Sequence, residues 1–308
     1  MRVIWSVTVV TALGMAAAGV PAGAQRATVA DLSARISARV AAVPGAEVAV
    51  SYRDLASGDS LDLRAGVDFH AASTMKVPVM LEVLRNVDEG RLALDQGILL
   101  VNQFRSVADG SLYALSPTDD SDSSLYARLG ERVPVRDLLE LMIVRSSNLA
   151  TNVLIALVGA DRANATAHAL GATHIRVRRG VEDQKAYDLG LNNTTTSADL
   201  AALLLRIEAG DALRAPSARL MKEILLRQEH NDDIPAGLPP GTPVAHKTGW
   251  ITATRHDAAI VYPRGRAPYV LVVLTRNIPG DDTAKRLIAD ISRLVWSHAT
   301  NAVAVGVR

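Results

Sequence analysis

The sequence predicts an α/β fold of the mixed α+β kind: an antiparallel sheet flanked by terminal helices, with an all-helical region inserted between its two halves. Segments with the alternating, β-branched pattern of strands lie near both ends of the chain, within 47–64 and 244–275. Helical patterns fill the stretch between them. The two groups of strands can form one sheet only if segments far apart in the sequence pair with each other, with the helices as an insertion between them.

The strands are predicted from period-two alternation bounded by turn residues. A turn at Ser57-Gly58-Asp59 separates the first two strands, and Pro263-Arg264-Gly265 separates the last two. The predicted strands are 47–52, 60–64, 244–249, 257–262 and 269–275.

The helices are predicted from apolar residues that recur every three or four positions, as Leu32, Ile36 and Val40 do in the first. Three stretches are expected to be irregular: a polar surface loop over 105–124, a polar segment over 175–193 and a connector over 235–243. The aspartates of the first loop lack the Gly and Glu spacing of a calcium loop, so a solvated loop is favoured. The predicted helices are 29–43, 73–88, 135–144, 149–158, 161–170, 198–209, 217–228 and 283–298.

Residues 1–24 have the pattern of a cleaved signal peptide. Arg2 precedes an apolar run, and Ala22-Gly23-Ala24 fits the small-x-small cleavage rule, with Gln25 as the new terminus. The protein is therefore expected to be periplasmic or secreted. A membrane anchor is the alternative, although the apolar run is barely long enough and lacks a basic flank. No later run is apolar enough to span a bilayer.

Residues 25–308 are predicted to form one catalytic domain. Its sheet region covers about 25–84 and 240–308, and its helical region covers about 85–239. The formal net charge of +1 gives no electrostatic case for nucleic acid. The chain has no cysteine, so disulfides, a thiol nucleophile and thiolate metal sites are excluded. No histidine pair has ligand spacing, and neither a metal nor a cofactor is expected.

Ser73 and Lys76 form the first candidate catalytic pair. They lie three residues apart, so a helix places the hydroxyl and the amine on one face. A helix start at Ser73 also aims backbone N–H groups at charge developing beside the hydroxyl. Such a pair is typical of a serine nucleophile activated by a lysine. The alternative is an N-cap serine followed by a solvated lysine.

Two further short motifs lie downstream. Lys247-Thr248-Gly249 falls on a predicted strand, where it could bind a carboxylate and admit a close substrate backbone. Ser146 and Asn148 lie where the helical pattern breaks. Read alone, these two could simply cap the next helix.

Taken together and in this order, the three motifs resemble the Ser-x-x-Lys, Ser-Asp-Asn and Lys-Thr-Gly signature of class A β-lactamases and penicillin-binding proteins. Phe69, Asn152 and Thr194-Thr195-Thr196 add to the resemblance, which covers most of the mature chain. The chain is similar in particular to class A β-lactamase-related serine hydrolases. This likeness implies the β-lactamase/transpeptidase fold.

The resemblance also implies a role for each matched residue. Ser73 is the expected nucleophile, and the acylation base is either Lys76 or Glu182. Ser146 is expected to pass a proton to the leaving nitrogen, and Asn148 to hold the substrate amide. The remaining expected substrate contacts are Lys247, Thr248, Gly249 and Trp250, the last through its backbone N–H in the oxyanion hole with that of Ser73.

The sequence also departs from the family pattern. Ser147 replaces the aspartate of Ser-Asp-Asn, and the Glu-x-x-Leu-Asn pattern of the omega loop is missing. In its place, within 179–185, Glu182 is the candidate deacylating glutamate and Asp183 the reserve, with a solvated acidic loop as the alternative. Either Arg255 or His256 stands where a carboxylate-binding arginine is expected.

The predicted function is the opening of β-lactam amides through an acyl-enzyme on Ser73. One alternative is a penicillin-interactive D-Ala-D-Ala carboxypeptidase, transpeptidase or esterase-like hydrolase that deacylates slowly. Another is a non-catalytic binding protein that keeps the fold. The expected partner is a small β-lactam or a peptidoglycan-peptide-like substrate, and the protein is expected to be a monomer.

Overall fold

The computed structural model describes residues 28–301, and its main feature is a five-stranded sheet in the order β2-β1-β11-β10-β9. Every neighbouring pair is antiparallel, which confirms the predicted fold class. The strands are β1 (Glu47–Asp54), β2 (Ser60–Leu63), β3 (Phe69–His70), β4 (Gly97–Leu99), β5 (Phe104–Arg105), β6 (Leu112–Tyr113), β7 (Arg132–Pro134), β8 (Thr194–Thr195), β9 (Val244–Ile251), β10 (Thr254–Val261) and β11 (Tyr269–Arg276).

The two ends of the chain meet in the middle of this sheet. Strand β1 pairs with β11 along its whole length, from Glu47 opposite Arg276 to Asp54 opposite Tyr269. Strand β9, which carries Lys247, is an edge strand and pairs only with β10 within the sheet. Its outer edge is therefore free to border a cleft.

Nine α-helices lie within residues 28–301. They are α1 (Val29–Ala41), α2 (Lys76–Asp88), α3 (Val135–Val144), α4 (Asn148–Val158), α5 (Ala160–Ala169), α6 (Gln184–Asp188), α7 (Ser197–Ala209), α8 (Ala215–Leu226) and α9 (Asp281–Asn301).

Two stretches predicted as irregular contain short regular elements. Strands β5 and β6 form a hairpin inside the predicted 105–124 loop region, and α6 lies inside 175–193. These elements are too short to show a periodicity of 2 or 3.6 residues, so the sequence pattern could not reveal them. Strand β3, which shortly precedes Ser73, pairs with β8 and places Phe69 opposite Thr195.

The sheet separates two hydrophobic cores. On one face, Ile36 of α1 and Ile291 of α9 pack with Leu271 of β11. On the other face, Val272 of β11 packs with the helical region, including Met80 of α2. Successive residues of one strand thus enter opposite cores, as a pleated strand requires. Both faces are buried, which explains why β11 is almost uniformly apolar.

Among residues 28–301, no helix combines the length and the apolar character needed to cross a bilayer. The predicted signal peptide, residues 1–24, lies outside the described residues.

Ile36→Ala tests the packing of α1 on the sheet. Ile36 is fully buried between α1 and the sheet, so truncation leaves a cavity. We expect the free energy of unfolding to fall by about 2–4 kcal/mol in a denaturant titration. Arg35→Ala, which alters an exposed neighbour on the same helix, should change it by less than about 0.5 kcal/mol. Equal effects of the two substitutions would contradict this packing.

Candidate active site

Ser73 lies in a 3₁₀ turn, Ala72–Met75, that leads directly into α2. Because a 3₁₀ turn has three residues per turn, Ser73 and Lys76 stand one above the other. The preceding residue, Ala72, has a φ of 45°, a left-handed conformation that costs a non-glycine residue about 1–2 kcal/mol. His70 Nδ1 accepts the Ala72 N–H at 3.0 Å and so stabilises this bend.

Lys76 is completely buried at the first position of α2. Its Nζ donates to Ser146 twice, to the backbone oxygen at 2.7 Å and to Oγ at 3.1 Å. It also donates to Asn148 Oδ1 at 3.0 Å. The lysine therefore joins the Ser73 turn to the junction of α3 and α4, although the two segments are about 70 residues apart.

Ser146 lies between two ammonium groups. Its Oγ is 3.1 Å from Lys76 Nζ and 3.0 Å from Lys247 Nζ, and the residue is fully buried. Its φ of 60° places it in the left-handed region, at the break between α3 and α4. Strained backbone at such positions is typical of functional sites.

Burial makes both lysines weak bases. It lowers the pKa of Lys76 to about 7, against the opposing effect of the Asp120 and Glu182 carboxylates. Burial lowers the pKa of Lys247 well below its usual range, and the charge of Lys76 lowers it further. The carboxylates of Asp257 and Asp233 partly offset this. A neutral amine is therefore accessible beside Ser146 near pH 7.

Strand β9 lies against the Ser73 turn at Gly249. A Cβ atom at this position would lie 2.8 Å from the Ser73 backbone nitrogen and 3.0 Å from that of Thr74. Only glycine fits there without displacing the turn. Beside it, the Thr248 hydroxyl is buried and has no hydrogen-bond partner among residues 28–301. A buried polar atom without a partner is rare in proteins, which makes this hydroxyl a candidate ligand contact.

Trp250 follows on the same strand and lines the cavity. His230 packs edge-on against its ring at 5.0 Å, and the guanidinium of Arg255 lies 5.6 Å from the ring centre. Arg255 is held by Asp233 at 2.6 Å and by Asp281 at 2.7 Å. The arginine thus stands at the edge of the site in a fixed orientation.

His256, the other candidate for the substrate carboxylate, lies away from the cavity. It is completely buried, its Nε2 donates to the backbone oxygen of His70 at 2.8 Å, and its Nδ1 accepts the Thr275 N–H at 3.1 Å. Burial lowers its pKa to about 4, so the ring is neutral. Both ring nitrogens are occupied by hydrogen bonds to the backbone, and the bond to His70 stabilises the segment that precedes the Ser73 turn.

Glu182 lies on the opposite wall of the cavity. Its Oε1 accepts from Asn148 Nδ2 at 2.8 Å. Burial raises its pKa, the Asn148 hydrogen bond opposes this, and the charge of Asp120 raises it further. Asn148 therefore connects Lys76 to Glu182 through one amide.

Asn152 fixes the loop that carries Glu182. Its Oδ1 accepts the Val181 N–H at 2.7 Å, and its Nδ2 donates to the Val181 oxygen at 3.0 Å. A Cβ at Gly180 would lie 2.4 Å from the Tyr113 hydroxyl and 2.9 Å from Asn152 Oδ1, so this contact also requires glycine.

Asp183, the reserve candidate for deacylation, is fully occupied by structural contacts. It caps α6 through Ala186 N–H, and it accepts from Ser106 Oγ at 2.7 Å and Val107 N–H at 2.9 Å. The carboxylate thus joins the hairpin β5–β6 to the loop, which leaves Glu182 as the acidic residue directed at Asn148.

These residues border one cavity of about 380 Å³. Ser73, Lys76, Asn148, Glu182 and Trp250 line it directly, and the buried Ser146 and Lys247 lie behind Lys76. Within residues 28–301, no group of three or more His, Asp or Glu side chains is arranged to hold a metal ion.

Two further residues of this region were not predicted from the sequence. Asp120 bonds to the N-terminus of α4, and Tyr187 covers His70 and Arg179 at the rim. Little in the sequence distinguishes these residues, because Asp120 is one of several aspartates in a polar loop and Tyr187 belongs to a five-residue helix.

A serine at a helix start, two buried lysines around a second serine and a glutamate across the cavity form an arrangement that is typical of serine hydrolases. The model of the family described as "Beta-lactamase enzyme family" matches residues 31–299. The chain belongs to this family. A β-lactamase from Streptomyces albus G is 29% identical over 256 residues, which cover 82% of this chain and 79% of that protein.

Solved structures agree with this assignment. A mutant of PBP-A in an acyl-enzyme complex with penicillin G matches with a TM-score of 0.74 at 28% identity, covering 89% of this chain and 97% of that chain. An ancestral class A β-lactamase matches with a TM-score of 0.75, also at 28% identity, covering 86% and 99%.

Gly249→Ala tests the contact between β9 and the Ser73 turn. The added methyl must displace the turn or the strand, so we expect acylation of Ser73 by a penicillin to slow by about 100-fold. The rate is measured by mass spectrometry after rapid quenching. Gly66→Ala is the control, because a Cβ there meets no atom within 4 Å. Wild-type acylation by the Gly249 variant would disprove the close approach.

Proposed function

We propose that this protein hydrolyses β-lactam amides through an acyl-enzyme on Ser73. The placement of Ser146 Oγ, 3.1 Å from Lys76 and 3.0 Å from Lys247, carries the proposal. An alcohol held between two amines of lowered pKa can pass a proton in either direction, which acyl transfer requires. The proposed periplasmic or secreted location, supported by the targeting pattern of residues 1–24, is compatible with this substrate class.

In the proposed acylation, the Ser73 hydroxyl attacks the lactam carbonyl and loses its proton to neutral Lys76. The carbonyl oxygen lies between the backbone N–H groups of Ser73 and Trp250, and each such donor typically supplies about 3–4 kcal/mol of transition-state stabilisation. The C–N bond breaks, and Ser146 donates a proton to the leaving nitrogen. Lys76 restores that proton through its contact with Ser146.

Substrate binding is assigned to the β9 side of the cavity. Lys247 and the unpartnered Thr248 hydroxyl would receive the substrate carboxylate, and Gly249 would let the substrate backbone lie close to the strand. Asn148 would hold the amide of the acyl side chain. In deacylation, Glu182 would take a proton from the water that attacks the ester. The ester C–O bond would then break, and this proton would pass to the Ser73 oxygen, which leaves as the alcohol.

A second candidate is an acyl-transfer enzyme that forms the acyl-enzyme but releases it slowly. The structural match to PBP-A, equal in identity to the match with the class A ancestor, favours it. Residues 179–185 also favour it, because they lack the Glu-x-x-Leu-Asn pattern of the family's omega loop, and this loop carries the candidate deacylating glutamate.

Mass spectrometry after exposure to penicillin separates these two candidates. A transient adduct on Ser73 with steady release of product supports the hydrolase, and a persistent adduct with one turnover supports the slow enzyme. Ser73→Ala should form no adduct in either case. A protein that never forms the adduct contradicts both proposals.

The pH dependence of acylation tests Lys76 as the base. With a pKa of about 7, Lys76 is neutral above this value, so the single-turnover rate should rise about tenfold per pH unit below pH 7 and level off above about 8. Glu182→Gln should keep this rise. If the substitution removes the rise, the base is Glu182 and not Lys76.

Glu182→Gln also tests the assignment of deacylation. The amide keeps the size of the side chain but cannot accept a proton, so the acyl-enzyme should persist at least about 100-fold longer. Its lifetime is followed by mass spectrometry. Glu131→Gln makes the same change at an exposed position and should leave the lifetime unaltered. Undiminished turnover in the Glu182 variant would move the role to another residue.

A further inference from the structure

The N-terminus of α4 positions residues of the candidate active site. Asn148, its first residue, bridges Lys76 and Glu182, while Ser146 lies two residues earlier. The first four N–H groups of a helix have no partner within it, so their neighbours decide how firmly this end is held.

Some of the acceptors for these N–H groups come from outside the Ser146–Asn148 motif. Ser147 Oγ accepts the Ala150 N–H at 3.3 Å, and the N–H of Ser147 itself donates to the Leu141 backbone oxygen at 3.0 Å. The remaining two N–H groups, of Asn148 and Leu149, both point to Asp120.

The Asp120 carboxylate binds this helix end with both oxygens. Its Oδ1 accepts the Asn148 N–H at 2.8 Å, and its Oδ2 accepts the Leu149 N–H at 2.9 Å. Tyr126 donates to Oδ2 at 3.0 Å, and the Asp122 N–H donates to Oδ1 at 3.1 Å. These contacts fix the carboxylate, and its charge is favourable at the positive end of a helix.

We propose that Asp120 is a positioning residue, which supplies from 28 residues away the carboxylate that Ser147 has replaced in the Ser-Asp-Asn motif. Asp120 fixes the backbone of Asn148, and Asn148 in turn holds its amide between Lys76 and Glu182. The flanking residues Asp119 and Ser121 line the cavity, so the same carboxylate anchors one wall of the site.

Asp120→Asn tests this role in the full-length protein, and the test rests on the proposed acylation of Ser73. The variant keeps the side-chain volume but removes the charge and one acceptor. We expect single-turnover acylation by penicillin G to slow by about tenfold or more, because small displacements of catalytic groups have large effects on rate. Asp122→Asn is the matched control. Its carboxylate bonds to Ser124 and lies 3.8 Å from the exposed Arg145 guanidinium, but it does not bond to α4, so its rate should stay within about twofold of wild type.

Ser147→Asp provides the decisive comparison. Placed in the Asp120→Asn protein, it returns a carboxylate to the N-cap of α4 and should restore acylation to within about threefold of wild type. Ser147→Asp alone should give no gain, since the helix end is already occupied. A residue that only stabilises the fold would lower the melting temperature without slowing acylation of the folded protein at 25 °C. If Asp120→Asn does not fold, the double variant must fold and acylate.

Amide hydrogen exchange at Asn148 and Leu149 gives a readout independent of activity. Exchange should accelerate in Asp120→Asn and slow again in the double variant. The proposal is overturned if Asp120→Asn acylates as fast as wild type, if Ser147→Asp does not reduce the loss, or if exchange is unchanged. Failure of the wild type to form any adduct instead rejects the proposed function, and exchange alone then decides the role of Asp120.

Discussion

The burial of two lysine side chains around one serine hydroxyl is the constraint on which the rest of this structure depends. A buried ammonium without partners is strongly unfavourable, and two of them close together repel each other. Both amines donate hydrogen bonds to Ser146, and the charges of nearby carboxylates partly stabilise their ammonium forms. The result is a pair of amines whose pKa values lie far below their usual range.

This constraint explains the polar residues that support the site from behind. Asp257 accepts from the buried His246 ring at 2.9 Å, and Asp233 binds Arg255 at 2.6 Å. Both carboxylates act on Lys247 through their charge. Burial raises the pKa of Asp233 to about 6, and the hydrogen bond and charge of Arg255 oppose this effect. The field at Lys247 therefore depends on groups that never face the cavity.

The sequence predicted the sheet, its antiparallel pairing and most of the helices, because long amphipathic segments carry a clear periodicity. It also predicted Ser73, Lys76, Ser146 and Lys247 as candidates, because spaced motifs are readable without a structure. It could not choose between Glu182 and Asp183, or between Arg255 and His256. Those choices depend on which neighbours each side chain meets, and Asp183 and His256 prove to be held by contacts from distant segments. The roles of the candidates remain predictions.

The pairing of β1 with β11 has a consequence for the order of folding. Residues 47–54 have no sheet neighbour on that side until residues 269–276 exist, and the edge strand with Lys247 joins only through β10 and β11. Pairing between such distant segments is slow, because a long loop must close before any contact forms. During synthesis, the edge of β1 that pairs with β11 therefore has no partner until the final part of the chain has been made. The helical region can form early, while the sheet assembles last, so truncation near the C-terminus should remove the central pairing of the sheet.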